Sequence, residues 1–161
     1  MTKKDRPDYD PSELNEVLGR SPLLNGEDRD KSKKLRTIVR GTLRPKDVFD
    51  ELNVREIASA IWEEDRLKKM RQGFLESRYP AALENLMAHE LPKAHKGLTQ
   101  EELYKKVNLE WLQAFTMIIA QEDLPIFERL IENRSSAWKA CLKDYERRQR
   151  NRAKRNRPDD V

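Results

Sequence analysis

From Pro45 to Tyr145 the apolar residues recur at intervals of three and four, and no stretch alternates in the two-residue period of a strand. A chain patterned this way buries a continuous apolar face only as helices. A short element opens at Pro45, whose fixed φ suits a first helical turn, with Val48, Phe49 and Leu52 on its apolar side. Asn53 caps a second helix running to Arg78, with Glu56 in the capping-box position and Val54, Ile57, Ala60, Ile61, Leu67, Met70 and Phe74 facing inward. Glu63, Glu64 and Asp65 precede Arg66, Lys68 and Lys69 by three or four places, as in a solvated ion-paired face. Pro80 is expected to break the chain and restart it as a helix over 80–90, with Leu83, Leu86 and Met87 inward.

Thr99 and Glu102 form a capping box that opens a helix carrying Leu103, Val107, Trp111, Leu112, Phe115, Ile118 and Ile119. Pro125 starts the last helix, with Phe127, Leu130, Ile131, Arg134, Trp138, Cys141, Leu142 and Tyr145 on one side. The expectation is an all-α fold, an antiparallel bundle of about four helices. Trp62, Trp111 and Trp138 each neighbour an apolar helix face and are assigned to the core. Composition agrees: charged residues are 39% of the chain, glycines number five, and Lys, Glu, Arg, Leu and Ala predominate. The lone Cys141 excludes an internal disulfide and suits a reducing compartment. The apolar run 114–120 is too short to span a bilayer, and residues 1–30 contain no apolar core of a signal peptide. A cytoplasmic setting without membrane contact follows as the expectation.

Charge is segregated along the chain. Residues 31–46 hold Lys31, Lys33, Lys34, Arg36, Arg40, Arg44 and Lys46 with no acid. Residues 147–157 hold Arg147, Arg148, Arg150, Arg152, Lys154, Arg155 and Arg157, again with no acid, whereas the stretch between the two segments is net acidic. The organisation expected is a largely disordered segment 1–44 with a basic cluster at 31–46, a helical domain 45–146 and a basic tail 147–161. Within the first segment, Leu14, Val17 and Leu18 form an apolar island at helical spacing that can engage the body or a partner.

Arg44 to Arg71, RPKDVFDELNVREIASAIWEEDRLKKMR, resembles a segment of small hypothetical bacterial proteins that combine P-x-D-x-x-x-E-x-x-V-R-[DE]-I with a Trp and a basic R-L-x-x-x-R end. Glu132 to Gln149 is more loosely similar to the terminal helix of the same proteins. The family often has Trp before the Val, where this chain has Asn53. The resemblance covers less than half of the chain. It implies helices and a bacterial cytoplasmic setting, and it implies no activity.

Catalytic and metal patterns are missing from the sequence. His89-Glu90 would need a second histidine where Lys93 stands, beyond Pro92, so H-E-x-x-H fails. Neither His89 nor His95 has a Glu three residues earlier, as a di-metal bundle requires. Cys141 has no thiolate-stabilising neighbour in its helix. No phosphate-binding loop, dinucleotide fingerprint or nucleophile elbow occurs. The stretch Leu98 to Leu109 resembles a helix-turn-helix opening, but Tyr104 is too bulky at the small position and Asn108 replaces the turn glycine, so a plain long helix is expected there.

The expectation is therefore a non-enzymatic binding protein with no catalytic residues, metal or cofactor and no small-molecule ligand. Its candidate nucleic-acid contacts are Lys31, Lys33, Lys34, Arg36, Arg40, Arg147, Arg148, Arg150, Arg152, Lys154, Arg155 and Arg157, which would bind phosphates without sequence preference. The alternative is a protein–protein adaptor or homo-oligomer using its amphipathic helices and the Leu14, Val17 and Leu18 island, with no nucleic-acid role.

Overall fold

A computed structural model describes residues 16–17, 19, 23–90 and 99–155; of His89, Glu90, Gln100, Leu103 and Lys106 only the backbone is described. The architecture is an all-α helical bundle, with no strand among the described residues. The helices are α1 (Arg29–Leu43), α2 (Val48–Glu90), α3 (Gln100–Lys106), α4 (Leu109–Ile119) and α5 (Leu124–Arg155). The described residues fall into two compact units: one comprises those up to Asp65 and from Glu132 onward, the other Arg66–Ile131.

Helix α1 lies where the sequence suggested disorder. Asp28 caps it, its Oδ1 accepting from the Asp30 and Lys31 amides at 2.9 and 3.0 Å. Leu35, Val39 and Leu43 recur at helical spacing and are half-buried. Arg44 closes the helix in the left-handed region at φ 51, its amide donating to the Arg40 carbonyl. The chain then re-enters a helix at α2, where Asp47 Oδ1 accepts from the Asp50 amide at 2.8 Å.

The first unit is held by the opening turns of α2. Val54, Ile57, Ala58 and Ala60 of α2 and Tyr145 of α5 are buried. Helices α2 and α5 run antiparallel here: Asp50 meets Gln149 and Arg152, while Glu63 and Glu64 meet Arg134 and Trp138. Glu63 is 2.8 Å from the Arg134 guanidinium, and Glu64 accepts from Trp138 Nε1 at 2.8 Å. These two acids thus tie helices together rather than forming only a solvated face. Val48, Phe49 and Leu52, expected as an apolar side, are exposed; the Arg148 guanidinium stacks 5.1 Å from the Phe49 ring centre.

In the second unit α2 continues unbroken through Pro80. A proline inside a helix loses one hydrogen bond and crowds the carbonyl four residues earlier, at a cost of about 3 kcal/mol. The residues just beyond it offset that cost, because Ala82, Leu83 and Leu86 are buried against Leu112, with Tyr79, Met87, Val107, Phe115 and Ile119 around them. A second cluster joins Leu75, Ala120 and Leu124, flanked by Phe74, whose ring centre is 5.5 Å from that of Phe127. Met70 and Leu130, expected inward, are exposed. The Thr99–Glu102 capping box forms as expected, with the Thr99 amide donating to Glu102 Oε2 at 2.8 Å. The long helix expected over 99–119 is instead two: Asn108 caps α4, its side chain accepting from the Glu110 amide at 2.8 Å. Its φ is −61, so Asn108 acts as an N-cap and not as a left-handed turn residue.

Candidate nucleic-acid interface

The two basic segments do not behave as free tails, because part of their charge neutralises acids inside the first unit. Asp50 and Glu51 are consecutive, and both are fully buried, at 0% and 1% exposure. Neighbours on a helix point about 100° apart, so the two carboxylates address different helices. Glu51 reaches α1, 3.2 Å from Arg40 and 3.7 Å from Arg36. Asp50 reaches α5, where Oδ2 accepts from Arg152 and from Gln149 at 2.9 Å, and Arg152 also pairs with Asp47. The Lys46 amide donates to the same Asp50 oxygen at 3.1 Å. Tyr145 adds a direct tie, its hydroxyl donating to the Leu43 carbonyl at the end of α1.

Electrostatics follow from this geometry. Burial works to raise the Asp50 carboxyl, but the Arg152 and Lys46 hydrogen bonds and the Arg152 charge outweigh it and hold the group below the usual carboxylate range. In turn, the Asp50 hydrogen bond raises Arg152 against its own desolvation. Burial lowers Arg36, partly countered by Glu51. Burial and the nearby Asp50 charge raise the Tyr145 hydroxyl, so it remains a donor. Arg36, Arg40 and Arg152, three of the sequence-designated phosphate contacts, are therefore structural cations with anionic partners.

The remaining designated residues are placed differently. Lys33 and Lys34 on α1 and Arg150, Lys154 and Arg155 on α5 are exposed, and no carboxylate among the described residues pairs with them. Lys31 and Arg147 are exposed but stand 3.7 and 3.2 Å from Asp28 and Asp144. Such surface pairs contribute only about 0–1 kcal/mol, so they leave both cations available. Arg148 is half-buried over Phe49. Arg157 lies outside the described residues, as do Leu14 and Leu18; Val17 is 84% exposed.

Because α5 runs unbroken to Arg155, the basic run is held on a helix with fixed spacing. Lys139, Lys143, Arg147, Arg150 and Lys154 are all exposed. Their separations of four, four, three and four place them within about 80° of arc, in a row about 22 Å long. Tyr145, Gln149 and Arg152 occupy the opposite, inward side. Charge density alone sets a boundary at residue 147 and leaves out Lys139 and Lys143. Continuing the helical period backward from Arg147 would have found them.

No group of three or more His, Cys, Asp or Glu among the described residues can hold a metal ion. The Cys141 thiol is half-buried, and burial together with the Glu56 and Asp144 charges raises it, the reverse of an activated nucleophile. No described helix is long and apolar enough to cross a membrane. No protein-family model, curated protein or solved structure matches the chain.

Proposed function

We propose that this chain is a non-enzymatic binding protein that contacts nucleic acid through the exposed cationic face of α5, with Lys33 and Lys34 of α1 as additional contacts. The observation that carries this reading is the row Lys139, Lys143, Arg147, Arg150 and Lys154, pre-positioned on one helix while the inward arginines are neutralised within the fold. A preformed row of cations displaces counterions from phosphates at little conformational cost. The row holds no aromatic residue to stack on unpaired bases, which favours a duplex backbone over single-strand readout. A reducing, cytoplasmic setting fits the unpaired and unactivated Cys141.

The row together with Lys33 and Lys34 predicts a slope of log K against log salt of about −6 on duplex DNA. The test is fluorescence anisotropy of a labelled duplex across a salt series, with the full chain and with a K143Q/R147Q/R150Q/K154Q variant. All four substituted side chains are exposed, so folding is retained. The variant keeps Lys33, Lys34 and Lys139 and is expected to bind more weakly, with a slope of about −3. An equal slope for both proteins, or no binding by the unsubstituted chain at low salt, refutes the proposal.

A further inference from the structure

Helix α4 is apolar on two sides, yet only one is covered. Leu112 and Thr116 point inward and are buried, with Phe115 and Ile119 half-buried beside them. The inward side even includes a hydroxyl, which Thr116 satisfies by donating to the Leu112 carbonyl at 2.7 Å. The outward side carries Trp111 at 56% exposure and Ile118 at 58%, with Met117 also exposed. Trp111 was expected in the core. It lies instead on the outer ridge Trp111, Ala114 and Ile118, at i, i+3 and i+7, while Leu112 takes the inward position. The helix also carries Glu110 and Gln113, but an exposed apolar ridge of this kind is normally covered, and this one has no neighbour on it among the described residues.

Charge selects the neighbour. From Val107 to Glu128 the chain has no Lys or Arg. Asp123 and Glu128 are paired with Arg78 and Arg71, but Glu110 in the first turn of α4 and Glu122 just beyond its end are exposed, with no cation pairing them among the described residues. We propose that this face docks a basic amphipathic helix of a partner protein, its apolar residues seated on Trp111 and Ile118 and its Lys or Arg side chains meeting Glu110 and Glu122. The ridge supports helix packing: the small Ala114 leaves a dip between Trp111 and Ile118 that admits a ridge of a facing helix. A second copy fits poorly, since a two-fold pairing of α4 with itself brings the acids together, Glu110 against Glu110 of the copy if parallel and towards its Glu122 if antiparallel. A membrane surface fits poorly too, because anionic headgroups repel the same carboxylates.

The probe is a labelled 18-residue synthetic peptide with leucine on one helical face and lysine on the other, alongside the same pattern with glutamate in place of lysine. Anisotropy is read with the full chain, with W111S/I118S and with E110K/E122K, each checked by circular dichroism and by retained duplex binding. The lysine peptide is expected to bind the unsubstituted chain in the micromolar range and to lose at least tenfold in affinity with W111S/I118S. E110K/E122K is expected to reverse the preference toward the glutamate peptide. The proposal is overturned if the lysine peptide fails to bind, or binds W111S/I118S equally well. It is also overturned if sedimentation shows a dimer that W111S/I118S dissociates, which would make a second copy the occupant.

Discussion

Arg152→Met isolates the contribution of the buried acid pair to the first unit. The substitution keeps most of the aliphatic volume and removes the guanidinium, leaving fully buried Asp50 with only the Lys46 amide and Gln149. Its other oxygen, Oδ1, has no hydrogen-bond partner. Removing one member of a buried ion pair costs about 3–5 kcal/mol. The Arg152 side chain is 29% exposed, so water already screens part of its charge, and the expected loss is about 2–3 kcal/mol. The assay is urea unfolding followed by circular dichroism, for Arg152→Met, Asp50→Asn and the double variant. In the Asp50→Asn background, Arg152→Met is expected to cost less than about 1 kcal/mol, since no buried charge is then stranded.

The pH dependence follows from the sign of the Asp50 shift. In the unsubstituted chain the folded value is depressed, so the stability contribution is fully present above the unfolded value near 3.9 and is lost as pH falls through the folded value. Without Arg152, burial dominates and the folded value rises above the unfolded one. The deficit of Arg152→Met is then largest near neutral pH and shrinks on acidification toward pH 4. A loss below 1 kcal/mol, a deficit independent of pH, or the same loss in the Asp50→Asn background refutes the reasoning.

Two further substitutions probe other elements. Pro80→Ala restores a helical amide in mid-α2 and is expected to stabilise by about 1–2 kcal/mol, less than the full propensity difference because proline also restricts the unfolded chain; a Tm that falls instead of rising by about 2–8 °C contradicts this. Tyr145→Phe deletes the tie to the Leu43 carbonyl and is expected to cost about 1 kcal/mol, with faster hydrogen exchange concentrated in the last turn of α1; unchanged exchange there would mean that α1 does not depend on that bond.

Local signals in the sequence translated well wherever the partner lay within a few residues. The Thr99–Glu102 box and the apolar spacing of Val54, Ile57, Leu83, Leu86 and Leu112 needed nothing else to declare themselves. Asp28 was an equally good cap, with Leu35, Val39 and Leu43 behind it, but the density of lysine and arginine in 31–46 masked the helical period. Pro80 misled because a strong local rule was overridden by burial on its C-terminal side. The candidate interface was half legible. Composition located the two cationic segments, but nothing in their composition separates Arg152, which faces acids about a hundred residues earlier, from Arg150, which faces solvent. Trp111 and Leu112 show the same limit, since adjacent apolar residues at a helix boundary leave open which one turns inward.

The Asp50–Glu51 pair also imposes an order on assembly during synthesis. Its partners straddle the chain: Arg36 and Arg40 are made before it, whereas Gln149 and Arg152 follow only after all of 66–131 has been translated. At about 5–20 residues per second, Arg152 trails Ile131 by roughly one to four seconds. Through that interval the second unit has its whole sequence while Asp50 still lacks its guanidinium, so the carboxylate favours hydration and opposes closure of the first unit. The unit begun first is therefore the last to be completed, because its closing ion pair waits for the end of α5.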